Sequence, residues 1–373
     1  MDAQAAAAAL RHRDRSRRME EVVRLTKEEM LAARGIWQEI FFEDSEQFTE
    51  YYFAEKMADN IGYGIKKNGE LAAMLFRTPY EADIRIGALA DENAFQRQLL
   101  SYIVGVGTRE CYRHQGYMDR LLRHALIEME KERQPFTFLM PADPAIYTPY
   151  QFRYIYDRPT YILHTEKMGA RRLKTEEIPE LSAFAQQTLQ KSCQLFMHRS
   201  EAYYRRQQLE SRAQNGDIYV WERAGRIEGF YLYAREQDAD GIWREEIQEA
   251  VCSDRLLCEG CMQESERKKP IIMARITNLV AMLSLLRLSQ GERREILLTV
   301  ADSLLPQNQG TFLWTLGYTE SSLQRVEKPL IETECQLTVT IDELCEMIFD
   351  RRKLPECLEG LLPYSDILIN EIV

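Results

Sequence analysis

One segment, a strand leading into a basic loop and then a helix, constrains the fold of this chain most. Residues 103–122 read IVGVGTRECYRHQGYMDRLL. Glycines interrupt the strand, and apolar residues recur with helical spacing after Gly116. These apolar positions are Met118, Leu121, Leu122, Ala125, Leu126 and Met129. The order strand, loop, helix predicts an α+β unit whose loop lies at a helix N-terminus.

The loop before this helix has the chemistry of an anion site. The first N–H groups of a helix have no partner within the helix, and the helix dipole is positive at that end. Gly116 lets a ligand approach the backbone closely, and Arg113 and His114 add charge or hydrogen-bond donors. The Walker pattern G-x-x-x-x-G-K-[ST] and the dinucleotide pattern G-x-G-x-x-G are both missing. We therefore expect a phosphate-bearing ligand, but not that of an NTPase or a dehydrogenase.

Composition favours a soluble globular protein with several domains. The chain has 373 residues, of which 45% are hydrophobic and 29% charged, and a net charge of -11. This charge disfavours nucleic acid and anionic membranes as partners. The apolar run from Ile276 to Leu288 is shorter than the roughly 20 residues that span a bilayer, so we expect a buried helix there. Residues 1–18 are basic and read as a flexible tail, with a mitochondrial-type presequence as the alternative.

The eight cysteines are scattered along the chain, which predicts free thiols in a reducing, cytoplasmic compartment. Cys252, Cys258 and Cys261 form a C-x5-C-x2-C cluster. No fourth Cys or His lies nearby in sequence to complete a tetrahedral zinc site. We therefore expect no metal.

Local signals organise the N-terminal part of the chain. Thr26 and Glu29 form a capping box ahead of one or two helices. Asn68-Gly69 then predicts a tight hairpin, and PFTFLM predicts a short strand after the helix that begins near Gly116. The first domain is expected to end near residue 158.

The same layout returns in the second part of the chain. A helical stretch at about 175–214 precedes a hairpin turning at Ala224-Gly225, but no basic glycine loop follows it. From Lys269 the pattern changes to an apolar helix, MARITNLVAMLSLLRLS, then strands around a proline-containing turn and a final helix. The predicted segments are the tail 1–18, a ligand-binding domain 19–158, a degenerate copy 159–268 and a third unit 269–373.

The basic loop resembles motif A of the GNAT acetyltransferases, in which a strand V-x-V-x is followed by [RQ]-x-x-G-x-[GA]. Arg113-His114-Gln115-Gly116-Tyr117-Met118 matches at the first and fourth positions, and Met118 replaces the final small residue. In this departure the chain resembles the subfamily typified by the mycobacterial enhanced intracellular survival (Eis) acetyltransferase. The resemblance covers about residues 19–373. It implies two tandem GNAT-like domains, each a mixed sheet flanked by helices, followed by a sterol-carrier-protein-like α+β domain.

This resemblance also implies an acetyl-CoA site. The strand end at Val106, Gly107 and Thr108 would hold the pantetheine arm and polarise the thioester carbonyl through its N–H groups. Ala142 and Asp143 would lie beside the cofactor. The residues assigned to the loop and helix start, which would hold the pyrophosphate, are Arg113, His114, Gln115, Gly116, Tyr117, Met118 and Asp119.

Two catalytic groups are likewise implied by the resemblance. Tyr147 in AIYTPYQF takes the place of the tyrosine in the subfamily motif I-Y-x-x-F-G-Y, which protonates the departing CoA thiolate. Tyr150 and Gln151 stand where Phe and Gly are usual, which leaves Tyr150 or Tyr154 as alternative acids. The base is the terminal carboxylate, here that of Val373, reached by folding INEIV back into the first domain. It would accept or relay the amine proton.

The expected activity is acetyl transfer from acetyl-CoA to a primary amine of a cationic substrate, such as an aminoglycoside, or to lysine. Attack would be direct, with Cys111 as nucleophile the alternative. Glu43, Asp44 and Glu371 are candidate anionic contacts for the amine. The resemblance also suggests a homo-oligomer, with a hexamer as candidate. There are two alternative functions. One is aminoacyl transfer from tRNA, which requires a basic groove, and the other is non-catalytic binding of acyl-CoA or lipid.

Overall fold

The computed structural model describes residues 21–86, 94–163, 169–237, 241–253, 262–291, 293–327 and 335–371. The chain forms two compact units. The first comprises Met1–Pro79 and Ser101–Glu132, and the second comprises Tyr80–Leu100 and Arg133–Val373. The domain boundaries at residues 158 and 268 stay a prediction.

The first unit begins with a strand that no sequence pattern indicated. This strand, β1, pairs antiparallel with β2. The capping box at Thr26 is confirmed, and three short α-helices follow it rather than the one or two expected. The elements that lie wholly or partly in this unit are β1 (Val22–Arg24), α1 (Lys27–Ala32), α2 (Arg34–Ile40), α3 (Glu46–Ala54), β2 (Ile61–Lys67), β3 (Glu70–Arg85), β4 (Phe95–Thr108) and α4 (Tyr117–Lys131). The end of β3 and the beginning of β4 belong to the second unit.

The hairpin between β2 and β3 turns where the sequence predicted. Lys67 pairs with Glu70 across the turn. Asn68 and Gly69 have φ values of 54° and 88°, the positive angles that a two-residue turn of this kind requires. The prediction from the Asn-Gly pair is therefore confirmed.

The amphipathic helix α4 packs its predicted apolar face into the core of the first unit. Leu121, Leu122, Ala125, Leu126 and Met129 are completely buried, and α4 contacts β1 and β2. In the first turn the buried residue is Tyr117, whereas Met118 is only half-buried. The packing of α4 fixes where its N-terminus, and therefore the loop before it, is placed.

The second unit holds the remaining elements. They are β5 (Phe136–Leu139), α5 (Pro144–Tyr147), β6 (Arg153–Leu163), β7 (Arg171–Arg172), α6 (Ile178–Ser192), β8 (Leu195–Met197), α7 (Glu201–Ala213), β9 (Asp217–Arg223), β10 (Arg226–Gln237), β11 (Trp243–Cys252), β12 (Met262–Ile276), α8 (Leu279–Leu285), β13 (Arg294–Ala301), β14 (Gly310–Leu316), β15 (Ser321–Arg325), β16 (Cys335–Thr340), α9 (Ile341–Ile348) and β17 (Ile367–Leu368).

The apolar helix expected over MARITNLVAMLSLLRLS is wrong in its first part. Met273–Ile276 ends β12, which pairs antiparallel with both β5 and β6. Asn278 then caps α8 by accepting a hydrogen bond from the Ala281 N–H. Pairing with β5 and β6 holds this apolar segment in a strand, and the buried helix begins only after the cap.

The second unit contains two four-stranded sheets. The hairpin of β9 and β10 turns at Ala224 and Gly225, with φ values of 50° and 75°, which confirms that prediction. These strands belong to a four-stranded sheet with the order β11-β10-β9-β7. The other four-stranded sheet has the order β15-β14-β13-β16, and its strand β16 leads directly into α9.

The free-thiol prediction is wrong for Cys252, which is disulfide-bonded. The spacing C-x5-C-x2-C does not by itself distinguish thiols from a crosslink, and Cys258 and Cys261 lie outside the described residues. Among the described cysteines, those outside a disulfide are Cys111, Cys193, Cys335, Cys345 and Cys357. Within the same part of the chain, no cluster of His, Cys, Asp and Glu is arranged to hold a metal ion.

No helix in the described ranges is both long enough and apolar enough to cross a bilayer. The apolar run around α8 forms only a seven-residue helix, Leu279–Leu285, of which Leu279, Met282, Leu283 and Leu285 are buried. The expectation of a short buried helix in this run is confirmed.

Candidate active site

The strand β4 is distorted just before the residues predicted to hold the thioester. Gly105 has a φ of 60°, a left-handed conformation that interrupts regular strand geometry. A Cβ at this position would lie 2.6 Å from the Trp37 ring and 2.8 Å from the Phe76 ring. Gly105 is therefore required both for its backbone angle and for close packing.

Helix α2 packs directly on this distorted stretch. A Cβ at Gly107 would lie 2.4 Å from the end of the Ile40 side chain, so the glycine lets α2 approach the strand. Gly107 is buried, whereas Val106 and Thr108 are half-buried. The backbone predicted to bind the pantetheine arm is thus held between the sheet and α2.

The loop before α4 combines two left-handed residues within a short stretch. His114 has a φ of 62°, and Gly116 has φ 73° and ψ 20° as the N-cap of α4. Gly116 offers no side chain to cap the helix, and space is open around its Cα. The first turn of α4 thus has no side-chain cap, as an anion site at a helix N-terminus requires.

The side chains around this loop add positive charge. Arg113, His114, Gln115 and Gly116 are exposed. The Lys67 ammonium, which no sequence motif assigned to the site, donates to Gln115 Oε1 at 2.8 Å. Its position next to the Asn68-Gly69 turn was visible in the sequence, but its approach to the loop depends on how the sheet packs.

Other charges near the loop already have structural partners. Asp119 is held by Arg123 at 2.9 Å, one helical turn further along α4. Arg109 donates to Glu39 at 2.6 Å and to the Leu71 carbonyl at 3.0 Å. Arg109 therefore tethers the loop to α2 and to the start of β3.

A carboxylate lies at the opposite end of the Trp37 indole from Gly105. The Trp37 Nε1–H donates to Asp44 at 2.8 Å. Burial raises the pKa of Asp44, and the hydrogen bond from Trp37 offsets only part of that effect. Glu43 is exposed, as a surface charge would be.

In the second unit, the predicted acid Tyr147 ends the one-turn helix α5. Asp143 caps this helix by accepting a hydrogen bond from the Ala145 N–H at 2.8 Å, which is a structural role for a residue predicted to lie beside the cofactor. Ala142 is exposed. The Tyr147 ring packs edge-on against Phe152, with centroids 6.0 Å apart.

Tyr147 is half-buried by surface area, and burial raises the pKa of its phenol to about 12. It therefore stays protonated at neutral pH, where it can donate a hydrogen bond or a proton but is not ionised to act as a base. For the alternative acid Tyr154, burial also raises the pKa, and the Asp143 carboxylate adds to this effect.

Val373 lies outside the described residues, whereas the segment before it, up to Glu371, is described and belongs to the second unit. Strand β17 pairs parallel with β8. Glu371 is buried and accepts a hydrogen bond from the Tyr203 hydroxyl at 2.8 Å, with the Arg199 guanidinium 3.7 Å away. Glu371 thus has a cationic partner within the fold.

The N-terminal part of the chain is similar to a known family. Residues 21–155 match a family model described as an acetyltransferase (GNAT) domain. This part of the chain is a GNAT-type acetyltransferase domain. This matched region contains the distorted strand β4, the loop before α4 and the helix that ends at Tyr147. No curated protein matches the sequence.

Solved structures share the fold over most of the chain. A probable N-acyltransferase from Enterococcus faecalis matches with a TM-score of 0.71 and 16% identity, over 92% of this chain and 93% of that one. A GCN5-related N-acetyltransferase from Anabaena variabilis matches at 0.68 and 16%, over 92% and 94%. Eis1 from Mycobacterium abscessus matches at 0.66 and 12%, over 95% and 100%. The predicted α+β fold with GNAT-like sheets is confirmed; at such identities the likeness is one of fold.

Proposed function

We propose that this protein transfers the acetyl group of acetyl-CoA to a primary amine of a cationic substrate. The observation that carries the proposal is the stretch from Gly105 to Gly116 in the GNAT domain. There a distorted strand leads to an exposed basic loop and an uncapped helix N-terminus. This arrangement supports a thioester along the strand and a diphosphate at the helix.

The proposal gives each part of this stretch one role. The N–H groups of residues 106–108 polarise the thioester carbonyl and stabilise the oxyanion that forms when the amine attacks. The amides from Arg113 to Asp119 bind the pyrophosphate. The side chains of Arg113 and His114, together with Lys67, add electrostatic attraction for the nucleotide.

Tyr147 is proposed as the acid that meets the departing CoA thiolate. Its pKa of about 12 keeps the proton on the phenol. A thiol has a pKa of about 8.5 in water, so complete transfer from such a phenol to a solvated thiolate is unfavourable. Desolvation raises a thiolate's pKa as well. Tyr147 therefore acts first as a hydrogen-bond donor and transfers its proton as the C–S bond breaks.

The amine attacks directly, and its proton leaves towards the terminal carboxylate of Val373. Asp44 is the proposed contact for an ammonium group of the substrate because it is half-buried and lacks a cationic partner among the contacts of the described residues. The substrate class is an aminoglycoside-like polyamine or a lysine side chain. The net charge of -11 favours such cationic acceptors.

The remaining assignments rest on the same resemblance. We propose that residues 269–373 form a sterol-carrier-protein-like domain. We also propose that the protein works in the cytoplasm as a homo-oligomer, with a hexamer as the candidate assembly.

A calorimetric titration with acetyl-CoA, followed by a thiol-release assay against aminoglycosides and lysine peptides, tests the proposal. We expect saturable binding and release of free CoA only when an amine is present. Binding without release for any amine would favour a non-catalytic acyl-CoA protein, and the absence of binding would overturn the proposal.

A further inference from the structure

Gln151 adopts a backbone conformation that normally calls for glycine. Its φ is 62° and its ψ is 30°, in the left-handed region that a non-glycine residue with a long side chain seldom occupies. It ends the short loop that follows Tyr147, where its N–H donates to the Thr148 carbonyl at 3.0 Å. A strained conformation of this kind persists only where surrounding contacts hold it.

The contacts that hold Gln151 come from distant parts of the second unit. Its Oε1 accepts from the N–H of Ser303 at 3.3 Å and from the Ser303 hydroxyl at 3.1 Å. Its Nε2 donates to Asp342 at 3.5 Å, the longest of these bonds. Both partners follow strands of the sheet β15-β14-β13-β16, since Ser303 comes just after β13 and Asp342 begins α9 after β16.

Two arginines also donate hydrogen bonds to carbonyl groups of the same loop. Arg153 donates to the Thr148 carbonyl at 3.4 Å and forms an ion pair with Asp342. Arg275 is fully buried, pairs with Asp302 and donates to the Tyr150 carbonyl at 3.0 Å. The loop between Tyr147 and β6 is therefore fixed by its carbonyl groups and by the Gln151 side chain.

We propose that Gln151 is a positioning residue for Tyr147, and that its side chain couples the Tyr147 loop to Ser303 and Asp342. This inference rests on the proposed function, in which Tyr147 is the acid. Glycine would accept the backbone angle without strain but would lose both side-chain attachments. With Gln at this position, the loop is oriented by hydrogen bonds to distant residues rather than by the conformational freedom of a glycine.

Gln151→Gly separates these two effects because it relieves backbone strain while it removes the attachments. We expect kcat to fall by about 10- to 100-fold, as for a misplaced catalytic group, with the Kd of acetyl-CoA unchanged. Gln151→Glu keeps the acceptor for Ser303 but places a second carboxylate beside Asp342, so we expect kcat to fall in this variant as well. Asn215, exposed and left-handed with φ 55°, supplies the matched control: Asn215→Gly should leave kcat unchanged.

A second readout does not depend on activity. The phenol pKa of about 12 reflects burial, so a loosened loop should let it fall towards 10. NMR of protein labelled at the tyrosine Cζ carbons, with Tyr147 assigned by Tyr147→Phe, should show Tyr147 protonated at about pH 10 in the wild type and about half ionised in Gln151→Gly. An unchanged Tyr147 titration together with an unchanged kcat would overturn the inference. If Tyr147→Phe itself retains full activity, the acid assignment fails, whereas the NMR titration still decides whether Gln151 fixes the loop.

Discussion

Trp37 donates its indole N–H to the Asp44 carboxylate at 2.8 Å, and the other end of the same indole packs on Gly105 of β4. One ring thus connects a half-buried carboxylate with the distorted strand proposed to hold the thioester. Burial disfavours the ionised form of Asp44. A charged group that costs stability at such a position is a candidate for a functional role.

Replacing Asp44 by asparagine should stabilise the protein at neutral pH. The introduced amide oxygen can still accept from Trp37, but the side chain carries no charge. The folded-state pKa of Asp44 lies above its ordinary value of 3.8, so ionisation destabilises the fold above that raised pKa. This cost declines as pH falls through the raised pKa and is gone below 3.8. Urea unfolding of both proteins across this range should show an advantage for Asp44→Asn that disappears at low pH.

The same substitution should weaken binding of the amine acceptor. If Asp44 contacts an ammonium group, Asp44→Asn should raise the KM for a polyamine by about tenfold, because one charge-assisted contact is lost. The KM for acetyl-CoA should not change. Glu43→Gln, at the exposed neighbouring position, is the control. Equal amine KM values in both variants and the wild type would remove Asp44 from the substrate site.

Gly116→Ala should impair cofactor binding through the backbone alone. Space around Gly116 is open, but its φ of 73° is strained for any residue with a Cβ, at a cost of about 1–2 kcal/mol. Gly225 has φ 75° and equally open surroundings, so Gly225→Ala should lose similar stability. Only Gly116→Ala should weaken acetyl-CoA binding in calorimetry. Comparable Kd values for the two variants would argue against a diphosphate site at this helix.

Tyr147→Phe should lower kcat by about 100-fold or more, as expected for loss of a general acid, and leave acetyl-CoA binding intact. Tyr150→Phe and Tyr154→Phe are the matched variants, because each removes one of the two alternative acids. We expect a smaller loss of kcat in both. Because burial raises the pKa of Tyr147 to about 12, its ionisation should not limit the rate below about pH 11. A larger kcat loss in either control would transfer the role of acid to that tyrosine.

A C-terminal affinity tag should sharply reduce turnover while acetyl-CoA affinity stays nearly constant. The tag converts the Val373 carboxylate into an amide and removes the proposed proton acceptor. An N-terminal tag on the same protein should leave turnover unchanged. Full activity of the C-terminally tagged protein in the thiol-release assay would exclude Val373 from the mechanism.

Much of the candidate site could be read from local sequence. The turns at Asn68-Gly69 and Ala224-Gly225 and the capping box at Thr26 depend on residues adjacent in the chain, and the structure reproduces each one. The buried face of α4 follows from helical spacing, apart from its first turn, where Tyr117 rather than Met118 is buried. Such features depend on backbone preferences and periodicity that a few residues specify.

Other features required contacts between distant segments. Met273–Ile276 is apolar enough for a helix, yet pairing with β5 and β6 places it in β12. Lys67 reaches Gln115 only because the β2–β3 turn and the loop before α4 meet in space.

The amino-acid sequence alone predicted the α+β fold class and the loop ending at Gly116, because motif spacing and hydrophobic period are properties of short segments. The assignment of Tyr147 as acid came instead from the resemblance to the GNAT acetyltransferases. Tertiary structure decided the environment of each group. Burial raises the pKa of Asp44, and the hydrogen bond from Trp37 offsets part of this effect. Ser303 and Asp342 hold Gln151 in a backbone conformation that glycine usually adopts. Such effects depend on desolvation and on hydrogen bonds between residues far apart in the chain, which no local pattern encodes.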